Sequence, residues 1–227
     1  ARQTDLFWDA EALVNMLWSF AQLVFADAPL LEALAAQSRA RIESFCGEDI
    51  ANTFWAFAQC SYSPSRPLLS AISSAALSTM KEMSPPELVN TAWAFARLTV
   101  EVGPLFHSIA AAAMPTMPEL APQSLTHLAW ACAKLAVDHE PLRAAISSAA
   151  IANLSVFNSM EIASLAWSWA VMAYADRPLL DAISSEALPN IRAWGLPEVA
   201  NMAWAFAQLR YRNLPLIDAI SEAARPR

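Results

Sequence analysis

Asn90-Thr-Ala-Trp-Ala-Phe95 is one copy of a phrase that returns along the whole chain. It echoes as Asn15-Met-Leu-Trp-Ser-Phe20, Asn52-Thr-Phe-Trp-Ala-Phe57, His127-Leu-Ala-Trp-Ala-Cys132, Ser164-Leu-Ala-Trp-Ser-Trp169 and Asn201-Met-Ala-Trp-Ala-Phe206. The central residues are Trp18, Trp55, Trp93, Trp130, Trp167 and Trp204, spaced by 37, 38, 37, 37 and 37. A fixed period of this size predicts a solenoid, a row of units that each need neighbours to bury an apolar face.

Working outward from each tryptophan, taken as position zero, gives one repeat. Nine residues upstream stand Asp9, Cys46, Ser84, Ala121, Asn158 and Gly195, most of them good helix N-caps. Ser84 with Glu87 forms a capping box, Asn158 with Glu161 resembles one, and prolines such as Pro85 and Pro197 fall in the first turn. A first helix is expected from about −9 to +7. A second start follows at Asp27, Ser65, Val102, His139, Asp176 and Asn213, each two residues before a proline. One inserted residue in the 61–66 loop accounts for the single spacing of 38. Further prolines at Pro115, Pro189 and Pro226 are expected to break the second helix, leaving a short turn before the next repeat.

The expected fold is therefore all-α, an α-solenoid of about six 37-residue helical hairpins wound as a right-handed superhelix. The units fall at 9–45, 46–83, 84–120, 121–157, 158–194 and 195–227, the last incomplete, with 1–8 as the tail of a preceding repeat. They form one continuous array. Neither end offers a polar capping helix, so the ends are expected to be covered by further repeats or by partners.

Composition agrees. Of 227 residues 56% are hydrophobic and only 3 are glycine, which favours helices over strands. With 14 basic against 21 acidic residues the net charge is −7, and the basic surplus usual in nucleic-acid binders is missing. Cys46, Cys60 and Cys132 have no metal or redox spacing and read as free thiols. The longest strongly apolar uncharged run near a repeat core, Ile162 to Ala175, has 14 residues and is too short to span a bilayer, which needs ~20. No targeting segment is visible, and a first residue of Ala1 means either a removed presequence or a piece of a longer chain.

On a helical wheel the first helix is apolar almost all round, and its tryptophan is expected to be core packing between neighbouring repeats. A polar stripe at −3, +1 and +4 interrupts it. Position −3 holds Asn15, Asn52, Asn90, His127, Ser164 and Asn201; position +4 holds Gln22, Gln59, Arg97, Lys134, Val171 and Gln208. Position +1 is only Ser or Ala, which leaves room for an approaching group. The −3 residues read either as an inter-repeat ladder of hydrogen bonds or as a row of ligand readers on a concave face. The +4 residues vary more in chemistry and are the better ligand candidates. These residues, Val171 apart, form the candidate binding stripe.

Asp138-His139-Glu140, with Cys132 two turns earlier, is the single cluster resembling an active site, and it sits at helix-capping positions. No second ligand has metal spacing to it, and His107 and His127 are isolated. Glycine-rich phosphate loops and nucleophile elbows are absent. No catalytic residues, metal or cofactor are expected, and the protein reads as a non-enzyme.

The strings Pro85-Pro-Glu-Leu-Val-Asn-Thr-Ala-Trp-Ala-Phe-Ala96 and Leu196-Pro-Glu-Val-Ala-Asn-Met-Ala-Trp-Ala-Phe-Ala207, followed by Pro-Leu-Leu-x-Ala-Ile, resemble the octotricopeptide repeat and its 37-residue relative, the heptatricopeptide repeat. The resemblance covers all six units. It implies an organellar protein, of chloroplast or mitochondrion, that binds single-stranded RNA and acts in transcript processing, stability, translation or ribosome assembly. It also implies that specificity lies in inner-helix positions such as Asn90 with Arg97, or His127 with Lys134. The rival is a protein-protein scaffold subunit buried in a large organellar complex without RNA contact, which the acidic charge favours. A cationic groove at Arg97 and Lys134 would favour RNA.

Overall fold

The computed structural model describes residues 9–99 and 103–225. It contains twelve α-helices and no strand among the described residues. They are α1 (Ala10–Gln22), α2 (Ala28–Arg41), α3 (Gly47–Gln59), α4 (Arg66–Thr79), α5 (Pro85–Arg97), α6 (Gly103–Ala113), α7 (Pro122–Lys134), α8 (Glu140–Asn153), α9 (Ser159–Val171), α10 (Arg177–Ala187), α11 (Leu196–Gln208) and α12 (Leu214–Ala223). Short 3-10 turns at Ile42–Ser44, Met114–Glu119, Leu154–Val156 and Ile191–Ala193 lead into the next odd-numbered helix. Pro115 lies in one of these turns and Pro189 beside another, where the second helix has ended as expected; Pro226 and the cap Val102 lie outside the described residues.

The helices fall into two compact units, Ala1–Ala113 and Met114–Arg227. In the first, α1, α3 and α5 pack side by side, and α2, α4 and α6 form a second layer. In the second, α7, α9 and α11 form one layer, with α8, α10 and α12 each packed against its own hairpin partner. Each unit is thus a stack of helical hairpins.

Capping decides where the odd helices begin. The Ser84 N–H donates to Glu87 Oε2 at 2.8 Å. The Asn158 N–H donates to Glu161 Oε2 at 2.8 Å while Asn158 Oδ1 accepts from the Glu161 N–H at 2.9 Å. Cys46 and Asp49 form a third reciprocal pair. Such caps are worth about 1 kcal/mol each.

The far ends differ from the expectation. Every odd helix is 13 residues long and stops at +4, not +7. Position +6 takes a left-handed backbone in all six repeats, at Val24, Ser61, Thr99, Ala136, Ala173 and Arg210, with φ between 50° and 53°. Its N–H bonds the carbonyl three residues back, and the next N–H reaches five residues back, as in Ser61 to Ala58 and Tyr62 to Phe57. That pair of bonds is a Schellman ending, which satisfies the last carbonyls and turns the chain toward the second helix.

The core is built by positions −5, −1 and +2. Leu13, Ile50 and Leu125 are fully buried, as are Phe57, Phe95 and Trp169, and Phe54 packs its ring 4.2 Å from that of Phe95 across α3 and α5. The repeat tryptophans are not in it. Trp18 and Trp204 are 45% and 44% exposed, and the other four are half-buried, so the expectation of a tryptophan core is corrected. The large buried ring is two residues further on, at Phe57, Phe95, Trp169 and Phe206.

Candidate functional site

Side chains three and four residues apart share one face of a helix, so −3, 0 and +4 stand in a row. In the first unit the rows are Asn15, Trp18, Gln22 on α1, then Asn52, Trp55, Gln59 on α3, then Asn90, Trp93, Arg97 on α5. In the second they are His127, Trp130, Lys134 on α7, then Ser164, Trp167, Val171 on α9, then Asn201, Trp204, Gln208 on α11. All of these residues are half-buried or exposed. The face thus brings together the −3 and +4 residues expected from the sequence and adds the tryptophan between them.

Position +1 is buried in five of the six repeats and exposed at Ser19 alone. Ala56, Ala94, Ala131, Ser168 and Ala205 are 0–1% exposed. Their small size lets adjacent odd helices approach closely and leaves no opening for a ligand. A wheel at 100° per residue puts 0, +4 and −3 at about 0°, 40° and 60° and +1 at about 100°, only about 40° beyond −3, so the angle alone does not part +1 from the face. Burial rather than wheel angle separates +1 from the face, and the hydrophobicity of tryptophan by itself points the ring inward.

Asn52 and Asn90 do not form the inter-repeat ladder. Among the described residues, no side-chain hydrogen bond links Asn52 or Asn90 to a neighbouring helix. Their amides, each with two donors and an acceptor, remain available on a half-buried face. The rings do meet. Trp167 and Trp204 stack across α9 and α11 with centroids 6.3 Å apart and planes at 29°. In the first unit the Arg97 guanidinium lies 5.4 Å from the Trp93 ring centroid and its Nε donates to the Ala58 carbonyl at 2.8 Å, closing the C-terminal end of α3.

Charge on the face is modest. The first unit carries Arg97 against Glu11 and Glu48 in the first turns of α1 and α3, where acids also suit the helix dipole. The second unit carries Lys134. Burial holds the His127 imidazole below its ordinary pKa, so it sits in the row as a neutral ring near pH 7.

The Asp138-His139-Glu140 cluster serves the backbone. His139 Nδ1 accepts the Leu142 N–H at 3.1 Å as the cap of α8, and Asp138 Oδ1 pairs with Arg143 Nη1 at 2.5 Å. Cys132 is 1% exposed and its thiol is pushed up to about 12 by desolvation, against a smaller opposing pull from Arg143. Among the described residues no group of three His, Cys, Asp or Glu side chains could hold a metal ion. No described helix is long and apolar enough to cross a membrane.

Stacked helical hairpins with a repeated polar and aromatic face define an α-helical repeat protein. A family model, RNA-editing substrate-binding complex 6 protein, matches residues 4–214, and the chain belongs to that family. No curated protein matches the chain.

Proposed function

We propose that the chain is a non-enzymatic subunit of an RNA-editing assembly, and that it holds single-stranded RNA on the tryptophan-bearing face of its odd helices. The family's printed description supports an RNA-handling complex. The observation that carries the reading is the row of three partly exposed tryptophans in each unit, each flanked by a polar −3 residue and, Val171 apart, a polar +4 residue. An indole offers a stacking platform to any base, worth about 1–3 kcal/mol per base, and the flanking amides, hydroxyl and imidazole offer hydrogen bonds to base edges. At one base per repeat each unit would take about three nucleotides. The repeat itself is read as the octotricopeptide or heptatricopeptide type, and the setting as an organelle, the mitochondrion ahead of the chloroplast.

Stacking rather than phosphate neutralisation would then supply most of the affinity, since the face has few cations. The net charge of −7 instead favours protein scaffolding, with partner subunits on the same face. Crosslinking RNA to the purified assembly, sequencing it and mapping the crosslinked residues separates the two. Crosslinks on the odd-helix tryptophans support RNA; protein contacts there with no RNA crosslink leave the scaffold.

A further inference from the structure

Arg143 breaks the repeat. Two residues after the proline that opens each second helix, the other five units carry Leu31, Leu69, Phe106, Leu180 and Ile217. Leu31, Phe106 and Leu180 are at most 2% exposed there, Leu69 is half-buried and Ile217 is 42% exposed. Arg143 puts a guanidinium at that place with its side chain only 12% exposed. An arginine side chain this far buried is costly unless its donors find partners. Asp138 takes Nη1 at 2.5 Å, and the Tyr174 ring lies under the guanidinium with its centroid 4.7 Å from Cζ. Nε has no acceptor although it is buried. A leucine would fill the position at no such cost, so packing does not account for the arginine.

The same side chain lines a cavity of about 440 Å³, together with Ala133, Val137, Asp138, Val171 and Tyr174. Val171 is the +4 residue of α9, so the cavity lies at the edge of the second unit's tryptophan face. Its volume is in the range of small-molecule sites, and its one buried cation has donors to spare. Asp138 pairs with that cation from the solvent side, its side chain 89% exposed.

We propose that this cavity is a phosphate site in which the unfilled donors of Arg143 take the oxygens of an RNA backbone phosphate. Guanidinium and phosphate match as fork to fork, and such charge-assisted bonds are roughly twice as strong as neutral ones. Asp138 and Tyr174 fix the plane of the guanidinium before the phosphate arrives. The natural ligand rests on the RNA reading above; the anion site itself rests on Arg143 and its surroundings alone.

The test uses the full chain and Arg143→Leu, which installs the residue of three sister repeats and should fold with an equal or higher Tm. The Arg143 Nε–H signal in a nitrogen-proton correlation spectrum, assigned by its loss in this variant, should shift saturably with inorganic phosphate and with uridine 5′-monophosphate, and not with chloride at equal ionic strength. A signal that stays put, or moves equally with chloride, overturns the site. An oligouridine RNA should bind Arg143→Leu roughly tenfold more weakly than the native chain. If that RNA binds both equally while the monophosphate still shifts the signal, the cavity serves a free nucleotide and the RNA assignment is overturned. If no RNA binds either protein but phosphate shifts the signal, the tryptophan-face reading falls and the anion site stands.

Discussion

Tyr62 packs its ring 5.5 Å from that of Phe57, five residues earlier, across a single left-handed residue, Ser61. Phe25 meets Phe20 at 5.7 Å and Tyr211 meets Phe206 at 5.8 Å in the same way. This is the apolar contact that accompanies a Schellman ending. It anchors the hairpin reversal, and with it the start of the second helix, to the core, because the earlier member of the pair is a buried +2 residue at Phe57 and Phe206. The direction of that helix is therefore tied to the side chain that fills the core.

The reversal is made without glycine, and that has a cost. A left-handed conformation disfavours residues with a Cβ by about 1–2 kcal/mol, most for β-branched ones such as Val24 and Thr99. Val24→Gly should raise stability by roughly 0.5–1 kcal/mol after the greater freedom of glycine in the unfolded chain is subtracted. Ala136→Gly should gain less. Urea unfolding at constant m-value measures it, and a loss at Val24 would show that the turn is not left-handed.

Much of this architecture was legible in the sequence, because caps and first-turn prolines act locally: Asn158 with Glu161 and Asp27 before Pro29 mark helix starts whatever surrounds them. Helix ends were not legible. The usual marker is a glycine, and here Val24 or Arg210 takes its place under the constraint of the aromatic pair. The candidate site was half legible. Asn90 and Arg97 were found by their polarity, whereas Trp93 between them was hidden by its hydrophobicity. Arg143 became conspicuous when Leu31 and Leu180 were seen to be core.

His127 gives the fold a pH dependence of definite sign. Burial lowers its folded-state pKa below the ordinary 6.5 of the unfolded chain, so the unfolded state binds the proton more readily. Its contribution to stability is fully present above pH about 6.5, falls as pH drops below that value, and levels off below the folded pKa. His127→Asn, which installs the residue of Asn15, Asn52, Asn90 and Asn201, removes this term. Subtracting its chemical unfolding curve from that of the native chain, pH by pH, should leave a difference that grows on acidification through that window.

Lys134 is the cleaner of the two +4 cations to remove, since Arg97 also bonds the Ala58 carbonyl. Lys134→Gln should weaken RNA binding uniformly across sequences and reduce the salt slope by about 0.7, the value for one phosphate contact on a single strand. Fluorescence anisotropy between roughly 50 and 200 mM salt reads both quantities. An unchanged slope would place Lys134 away from the RNA.

Trp204 and Trp169 separate face from core. Trp204 is 44% exposed and leans on Trp167, so Trp204→Ala should cost no more than about 1.5 kcal/mol of stability. Its effect on RNA should be larger, a loss of about 1–3 kcal/mol in affinity, or roughly 5- to 150-fold, if a base stacks there. Trp169 is fully buried and its Nε1 lacks an acceptor. Trp169→Ala should cost about 3–5 kcal/mol through the cavity it leaves. Trp169→Phe should recover most of that, since phenylalanine fills the same position at Phe57 and Phe95 and brings no unpaired donor. Thermal unfolding and RNA titration of the three variants would assign the two tryptophans opposite roles. Equal stability losses at Trp204 and Trp169, with RNA affinity unmoved, would return the repeat tryptophan to the core and remove the observation on which RNA binding rests.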